Sequence, residues 1–444
     1  MVTRPPIRLL WGHAALTLEL TADADAPVCL TRLEAMDVRR ADAGGGAGTR
    51  RSGQPLVEVQ IAGEGQPWSG PRQVGTTVGL RLRYAAHRVE EADGWTEFEL
   101  EQVDEGAGLQ VRTLIRSPQG VPAIQVYTSV RAVGAEPVTL HAVGSLATGA
   151  FRPDSGADGI DVYWAENDWM AENRWQRQPL REGRLPDINP TTHRHLPRGA
   201  LVVASHGSWS SGEYLPMGAL VDTDTGRAWA FQVEHNGAWR WEVGERRDGV
   251  YLAVHGPGDR DHQWRQTLDP GQQFVSVPVG LAIGDEGMES AIASLTAYRR
   301  AIVRPHPDRT GLPVVFNDFM NTLGGDPTTE RLLPLIGAAA TAGAEYFCID
   351  AGWYAEDGAW WDSVGTWTPS STRFPDGLGE VIDRIRAAGM RPGLWLEPEV
   401  VGVRSPLADS LPPDAFFQRE GRRQVENGRY HLDLRHPAAV AHLD

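Results

Sequence analysis

Two short stretches decide the fold: YFCIDAGW at residues 346–353 and GLWLEPE at residues 393–399. Each stretch has an apolar run that ends in an acidic residue, Asp350 in the first and Glu397 in the second. Carboxylates at the carboxyl ends of successive buried strands, separated by helices, are typical of the functional face of a (β/α) barrel. The two stretches therefore predict parallel strands whose ends meet at one site.

The surrounding sequence supplies the other elements of such a fold. Apolar or periodic patterns predict a strand at 314–316, a helix at 328–342, a strand at 346–349, a helix at 378–388 and a strand at 394–396. Proline and an acidic residue open the first helix, and a glycine follows each helix. Alternation of strands and helices indicates parallel pairing, in a barrel or in an open sheet. No glycine-rich phosphate loop follows the first strand, which disfavours a dinucleotide site.

The N-terminal part of the chain has a different rhythm. From Trp11 to about Ile283, apolar and polar residues alternate with a period of two, for example in Leu16–Leu20, Leu80–Tyr84 and Val111–Ile115. Such alternation is typical of half-buried strands, and the glycines and aspartates between them suit tight turns. We therefore predict a large antiparallel β-sandwich.

A change of pattern marks the domain boundaries. Apolar residues at helical spacing follow Glu286, and the paired prolines of 304–309 indicate a linker. The predicted organisation is a β-domain at 1–285, a helix and linker at 286–310, and a partial barrel at 311–444.

Composition excludes several kinds of partner. The formal net charge is −16, and nucleic acids and anionic membrane surfaces both require a basic patch, so neither is expected as a partner.

No signal peptide or membrane span stands out in the sequence. The two cysteines, Cys29 and Cys348, give no disulfide framework, so a cytoplasmic location is predicted. His193 and His195 have no third ligand nearby, so no metal site is predicted.

Polar side chains follow each predicted strand of the C-terminal part. Asn317 and Asp318 follow the first strand, Asp350 the second, and Glu397 and Glu399 the third. A single acid in such a position usually caps a loop, but recurrence at three strands favours one pocket for a polyhydroxylated ligand.

The loop after Asp350 contains four tryptophans. Aromatic faces stack on sugar rings, and the 16 tryptophans of the chain also fill its core. We expect Trp353 and Trp367 to contact a sugar and Trp360 to pack in the core.

Three segments resemble glycoside hydrolase family 36, the α-galactosidases. They are residues 347–353, 391–399 and 428–434, and the likeness extends through the linker and the β-rich half. The resemblance implies an N-terminal antiparallel β-supersandwich followed by the first part, about three βα units, of a (β/α)8 TIM-type barrel. It also implies galactoside catabolism by a retaining mechanism that uses two carboxylates and no cofactor.

The resemblance further implies roles for individual residues. Asp350 would bind galactose hydroxyls, Trp367 would stack on the sugar and Arg429 would shape the pocket. With Trp353 and Glu397, these are the predicted substrate-binding residues. The implied partners are α-galactoside oligosaccharides, and a homo-oligomer is expected for the full-length protein.

Two departures from the family pattern stand out. Many relatives have paired aspartates where this chain has Asp350 and Ala351, which weakens the case for strict galactose selectivity. The family nucleophile follows a lysine by two residues, and this chain contains no lysine. The resemblance therefore implies that the nucleophile and the acid/base aspartate lie downstream, that the sequence is truncated within the barrel, and that the 444-residue chain is inactive.

Other functions remain open at this point. The same fold would suit an α-N-acetylgalactosaminidase or a transglycosylase. A non-catalytic carbohydrate-binding or assembly module would need only the β-domain, and the row of strand-end acids disfavours it. Glu397 and Glu399 as a catalytic pair are disfavoured, because Pro398 between them leaves little room for a sugar.

Overall fold

Two units make up the chain, one ending at Val303 and the other beginning at Arg304. The structure is a computed structural model. It describes residues 7–23, 25–35, 53–66, 70–151, 156–183, 185–189, 192, 197–246 and 249–444.

The first unit is built mainly of strands. In chain order they are β1 (Ile7–His13), β2 (Leu16–Asp23), β3 (Ala26–Ala35), β4 (Val59–Ile61), β5 (Arg83–Ala92), β6 (Trp95–Asp104), β7 (Leu109–Pro118), β8 (Ala123–Ala132), β9 (Val138–Thr148), β10 (Ile160–Glu166), β11 (Arg174–Pro179), β12 (Ala200–Ser205), β13 (Tyr214–Asp222), β14 (Ala228–Val233), β15 (Trp239–Arg246), β16 (Gly249–His255), β17 (Gln266–Leu268), β18 (Gln273–Val275) and β19 (Val279–Gly284). Short helices span Thr77–Arg81, Leu180–Glu182 and Asp259–His262, and a longer one spans Gly287–Ile302.

These strands form antiparallel sheets. Within the described residues, a ten-stranded sheet has the order β11-β10-β13-β14-β19-β8-β7-β6-β5, with β18 also paired to β8. A six-stranded sheet has the order β12-β15-β16-β9-β17, with β4 also paired to β9, and β1, β2 and β3 form a third sheet. Every strand pair that the structure describes in this unit is antiparallel, as the period-two alternation predicts. These sheets are consistent with the sandwich predicted from the sequence.

The alternation has a direct physical cause in burial. Along β6 every second residue is buried, because successive side chains of a strand point to opposite faces of the sheet. The core contains fully buried aromatic residues such as Trp229, Phe231 and Trp241. The rings of Phe231 and Trp241 meet edge to face, with centroids 5.3 Å apart. Part of the tryptophan content therefore serves packing, as expected.

The strand predicted at Leu80–Tyr84 is wrong at its start. Residues Thr77–Arg81 form a helical turn, and β5 begins only at Arg83. The Thr76 hydroxyl oxygen accepts a hydrogen bond from the Gly79 N–H at 3.0 Å and so caps the turn. The same hydroxyl donates to the buried carboxylate of Glu58 at 2.7 Å. Local capping thus outweighs the alternating pattern.

The helix Gly287–Ile302 belongs to the first unit. Its buried residues are Ala291, Leu295 and Tyr298, which matches the helical spacing read from the sequence. The Tyr298 hydroxyl donates to the Glu234 carboxylate at 2.6 Å. The unit boundary follows directly after this helix.

The second unit begins with the predicted order of strand, helix, strand, helix, strand. The strands are β20 (Val315–Asn317), β21 (Tyr346–Ile349) and β22 (Arg391–Leu394), and the helices are Thr329–Thr341 and Leu378–Ala387. The three strands pair in parallel in the order β20-β21-β22, which confirms the predicted parallel pairing. Phe347 and Ile349 of β21 are buried in a core that both helices share.

The third strand lies earlier in the chain than predicted. It covers Arg391–Leu394 and not 394–396, although Pro392 interrupts it. The N–H groups of Arg391 and Trp395 donate to the carbonyls of Glu345 and Ile349 on β21, both at 2.9 Å. Since alternate residues of a strand donate to the same side, the nitrogen of Pro392 faces away from β21, where no donor is needed for this pairing.

The rest of the second unit is less regular. Its strands are β23 (Val400–Gly402), β24 (Gln418–Arg419), β25 (Arg422–Arg423), β26 (Val425–Glu426) and β27 (Arg429–His431), and its further helical segments are Asp308–Gly311, Phe319–Leu323, Leu407–Ser410, Pro413–Ala415 and Pro437–Leu443. An antiparallel sheet of order β23-β27-β26 carries Arg429 at the start of β27.

Candidate functional site

The carboxyl ends of the first two parallel strands bring polar side chains together. Asn317 ends β20, and its side-chain amide donates to the Oδ2 atom of Asp350 at 2.6 Å. Asp350 follows β21, and its Oδ1 atom accepts the N–H of Ala351 at 2.6 Å. Each carboxylate oxygen has a second lone-pair direction, so Asp350 retains capacity to accept further hydrogen bonds.

Asp318 lies directly behind Asp350. Its Oδ1 atom accepts the backbone N–H of Asp350 at 2.7 Å, and its side chain is buried. Burial, together with the nearby charge of Asp350, raises the pKa of Asp318 to about 6, although the hydrogen bond from the Asp350 N–H opposes the shift. Two acidic residues from neighbouring strands are thus held at one point of the sheet edge.

The loop that follows Asp350 folds back sharply at Gly352. This glycine has a φ of +97°, and a Cβ atom at its position would lie 2.0 Å from the carbonyl oxygen of Gly325. Neither the backbone conformation nor the space admits a side chain. Glycine at this position therefore allows the loop to pass close to the segment that precedes the helix Thr329–Thr341.

Glu356 and Arg373 fasten the same loop. The Glu356 carboxylate accepts hydrogen bonds from the Ser370 hydroxyl at 2.9 Å, the Ser371 N–H at 2.8 Å and the Thr372 hydroxyl at 2.6 Å. The buried guanidinium of Arg373 donates to the Ala355 carbonyl and to Asp326, both at 2.5 Å. The loop therefore has a fixed shape, although it contains little regular secondary structure.

Replacing Glu356 by glutamine should loosen this loop. The hydrogen bonds from Thr372, Ser371 and Ser370 lower the pKa of Glu356 to about 2 from an ordinary value of 4.5. Because the folded-state pKa is depressed, the stabilisation is complete above pH 4.5 and is lost as the pH falls through about 2. We expect the protection factors of the Ser371 and Thr372 amides to be several-fold lower in Glu356→Gln than in the wild type at pH 7, and those of the wild type to fall as the pH approaches about 2.

Glu420→Gln, a substitution of an exposed glutamate in another loop, serves as the control. Equal exchange rates in the wild type and Glu356→Gln would show that this carboxylate does not hold the loop.

Aromatic rings fill the space inside the loop. Trp353 is 3% exposed, and its indole N–H donates to the Trp395 carbonyl at 3.0 Å. Trp367 is half-buried and stacks on Trp353, with centroids 6.0 Å apart and ring planes inclined by 30°. The ring of Trp395 lies 6.1 Å from both Trp367 and Trp360. We call Trp353, Trp360, Trp361, Trp367 and Trp395 the tryptophan cluster; Trp361 joins it through Trp360, at 5.4 Å.

Glu397 and Arg429 form an ion pair beside this cluster. The Arg429 side chain is 4% exposed and that of Glu397 is 27% exposed. The Arg429 guanidinium lies 3.6 Å from the centroid of the Trp361 ring, and its Nε donates to the Trp361 carbonyl at 2.8 Å. Burial raises the pKa of Glu397, and Arg429 partly opposes that shift. The pair is thus held by a cation-π contact as well as by charge.

Tyr354 connects the two groups of polar residues. Burial raises the pKa of its hydroxyl, and its electrostatic neighbours include Arg429, Glu397 and Asp350. Its ring meets that of Trp367 edge to face at 5.1 Å. Of the five residues predicted from the sequence, Trp353 and Trp367 belong to the tryptophan cluster, Glu397 and Arg429 lie beside it, and Asp350 is an electrostatic neighbour of Tyr354.

Sequence reasoning missed two members of this arrangement. Trp395 lies within the stretch 393–399, and the signal that could have identified it is an aromatic residue directly before the strand-end acid Glu397. Trp361, which is 42% exposed, gave no separate signal, because its partner Arg429 is 68 residues away in sequence.

Within the described residues, no group of three or more histidine, cysteine, aspartate or glutamate side chains is arranged to hold a metal ion. His193 and His195 lie outside the residues that the structure describes. In the same part of the chain, no helix combines the length and the apolar character needed to cross a bilayer.

Comparisons of sequence and of fold both find α-galactosidases. Residues 275–443 match the family model named Melibiase. α-Galactosidase Mel36A from Lactobacillus acidophilus is 29% identical over 248 residues, which cover 54% of this chain and 33% of that protein. Probable α-galactosidase G from Emericella nidulans is 28% identical over 292 residues, or 62% of this chain and 36% of that protein.

Solved structures agree on the fold. The crystal structure of the α-galactosidase AgaA from Geobacillus stearothermophilus superposes with a TM-score of 0.79 at 17% identity, over 98% of this chain and 63% of that chain. An α-galactosidase structure from Lactobacillus brevis gives a TM-score of 0.75 at 15% identity, over 100% of this chain and 62% of that chain. In sequence over part of its length, and in fold over nearly all of it, the chain is similar to α-galactosidases. It spans about a third of the length of the curated relatives named here.

Proposed function

We propose that this chain is the sugar-recognition part of an α-galactosidase-type retaining glycoside hydrolase that removes terminal α-galactosyl residues from oligosaccharides. One observation carries the proposal: the segment that matches the Melibiase family model contains the strand-end carboxylates and the tryptophan cluster around them. Crystal structures of AgaA in complex with raffinose and with stachyose support oligosaccharides as the ligand class.

Each site residue has a proposed role. Asp350 accepts hydrogen bonds from sugar hydroxyls, because both of its oxygens are already oriented by protein donors and retain lone pairs. The half-buried face of Trp367 stacks on the apolar side of the sugar ring, and Trp353 supports Trp367 from beneath. Glu397 and Arg429 form a charged wall of the pocket.

The chemical step is proposed to need two further carboxylates. Retaining glycosidases use a nucleophile and an acid/base residue roughly 5 Å apart. The family places a lysine two residues before the nucleophile, and this chain has no lysine. We therefore assign no catalytic residue to this chain, and no cofactor or metal enters the proposed mechanism.

The proposed architecture follows from the same family. The units around β20, β21 and β22 are the first three βα units of a (β/α)8 barrel at 311–444, and the domain at 1–285 is its β-supersandwich, joined through 286–310. A homo-oligomer and a cytoplasmic location complete the proposal for the full-length protein.

Galactose binding tests the proposal. The 444-residue chain should bind D-galactose more tightly than D-glucose, and Asp350→Asn should weaken galactose binding by about tenfold or more, because one acceptor oxygen becomes an NH2 donor and the other loses its charge. Dissociation constants from NMR titration give the comparison. Asp383→Asn is the control, since Asp383 lies in an exposed pair with Arg386 on a helix.

Equal galactose affinity in the wild type and Asp350→Asn would contradict the proposed role of Asp350. No turnover of p-nitrophenyl α-galactoside is expected from the purified chain. Robust turnover would refute the assignment of the catalytic carboxylates outside it.

A further inference from the structure

Asp318 has an arrangement that packing does not explain. Its side chain is 1% exposed, and while Oδ1 accepts the Asp350 N–H, its Oδ2 atom is buried without a hydrogen-bond partner among the described residues. Burying a carboxylate oxygen without a donor destabilises a fold, and such atoms are uncommon in native structures. An asparagine would give a side chain of the same shape without a charge to bury.

The charges around Asp318 add to this cost. The titratable groups that face it are the carboxylate of Asp350 and the thiol of Cys348, both from β21 or its end. On its own strand the neighbour is the neutral amide of Asn317, which donates to Asp350 and not to Asp318. Among the residues that the structure describes, no cation contributes to the shift of the Asp318 pKa. An ionised Asp318 therefore lies next to a like charge in a buried place.

The backbone of Asp318 is nevertheless firmly held. Its carbonyl oxygen accepts hydrogen bonds from the Thr322 hydroxyl at 2.5 Å and from the Leu323 N–H at 2.8 Å. Its own N–H donates to the Cys348 carbonyl at 3.3 Å. The side chain is therefore fixed relative to β21, and its one hydrogen bond reaches the peptide group that carries the Asp350 side chain.

We propose that Asp318 is a positioning residue, whose carboxylate fixes the peptide of Asp350 so that the Asp350 side chain is presented to the sugar. This inference rests on the proposed function. An ionised carboxylate is a stronger acceptor than a neutral carboxyl group, so the hydrogen bond from the Asp350 N–H becomes stronger when Asp318 loses its proton. The unpartnered oxygen is the structural cost of keeping a charged acceptor there.

The first measurement is galactose affinity, since galactose has no titratable group in this range. In the wild type, affinity should be several-fold weaker at pH 5 than at pH 7.5, because Asp318 becomes protonated near pH 6. Asp318→Ala removes the acceptor and should weaken binding about tenfold at pH 7.5. Asp318→Asn keeps only a neutral carbonyl acceptor, so it should bind several-fold more weakly than the wild type at pH 7.5, about as the wild type does at pH 5, and lose the dependence on pH between 5 and 7.

The second measurement is independent of any ligand. In protein labelled with ¹⁵N-aspartate, the amide signal of Asp350, assigned through Asp350→Asn, should shift with a midpoint near pH 6. In Asp318→Asn the signal should not shift over that range. This variant retains the shape of the side chain, so it keeps the test usable if Asp318→Ala fails to fold.

Wild-type affinity and an unchanged pH profile in both variants would overturn the positioning role. An Asp350 amide signal that titrates identically in Asp318→Asn would overturn it as well. If neither the wild type nor the variants bind galactose, the proposed function fails, and the amide signal alone then decides whether Asp318 controls the Asp350 peptide.

Discussion

Replacing Arg429 by alanine should abolish measurable galactose binding and lower the free energy of unfolding of the C-terminal unit by about 2–3 kcal/mol. The substitution leaves the Glu397 carboxylate, 27% exposed, without its cation. It also removes the cation-π contact with Trp361 and the hydrogen bond to the Trp361 carbonyl. Breaking a buried ion pair costs more than the pair contributes, because one charge stays behind.

Urea unfolding followed by tryptophan fluorescence measures the first effect, and NMR titration with galactose measures the second. Arg435→Ala is a matched control, because Arg435 pairs with Asp433 at 2.7 Å but its side chain is 79% exposed. Exposed pairs contribute about 0–1 kcal/mol, so this variant should stay close to the wild type. Equal losses of stability and of galactose binding in the two variants would show that the burial of Arg429 and its contacts with Trp361 do not matter.

Substituting alanine for Gly352 should destabilise the C-terminal unit by about 3 kcal/mol or more. The added Cβ would lie 2.0 Å from the Gly325 carbonyl oxygen, and backbone atoms have little freedom to move away. The φ of +97° adds backbone strain to the clash. Because Trp353 directly follows this glycine, the tryptophan cluster should lose its fixed packing as well.

Gly343→Ala separates these two contributions. Gly343 has a φ of +89°, but no heavy atom lies within 4 Å of a Cβ built at its position. This control should therefore show the cost of the backbone conformation alone, about 1–2 kcal/mol. Urea unfolding curves of both variants give the difference. If the two variants were equally destabilised, the close approach to Gly325 would have no energetic importance.

The local pattern was sufficient for the strand Tyr346–Ile349, which the structure has at the residues predicted. An unbroken apolar run between two predicted helices indicates a buried strand. At Arg391–Leu394 the pattern misled, because a proline normally excludes a strand interior. Pro392 is tolerated because its nitrogen faces away from β21. Which side of a strand faces its neighbour depends on the whole sheet and cannot be read from the segment alone.

The candidate site shows the same division between local and distant causes. Asp350 and Glu397 were recognisable, since an acid directly after an apolar strand is a local feature. Other contacts join residues that are distant in sequence. Arg429 stacks on Trp361, 68 positions away, and Asp318 accepts a hydrogen bond from the Asp350 N–H, 32 positions away. Such contacts depend on how helices and loops bring strand ends together, which no single segment encodes.

The tryptophan cluster has an optical consequence. Neighbouring indole rings within it have centroids 5.4–6.1 Å apart, a distance at which the electronic transitions of adjacent rings couple and excitation passes between them. In the other unit, Trp229 and Trp241 instead meet phenylalanine rings. The C-terminal unit therefore carries a set of coupled chromophores, and a split circular-dichroism band in the far ultraviolet would report the geometry of the tryptophan cluster without any label.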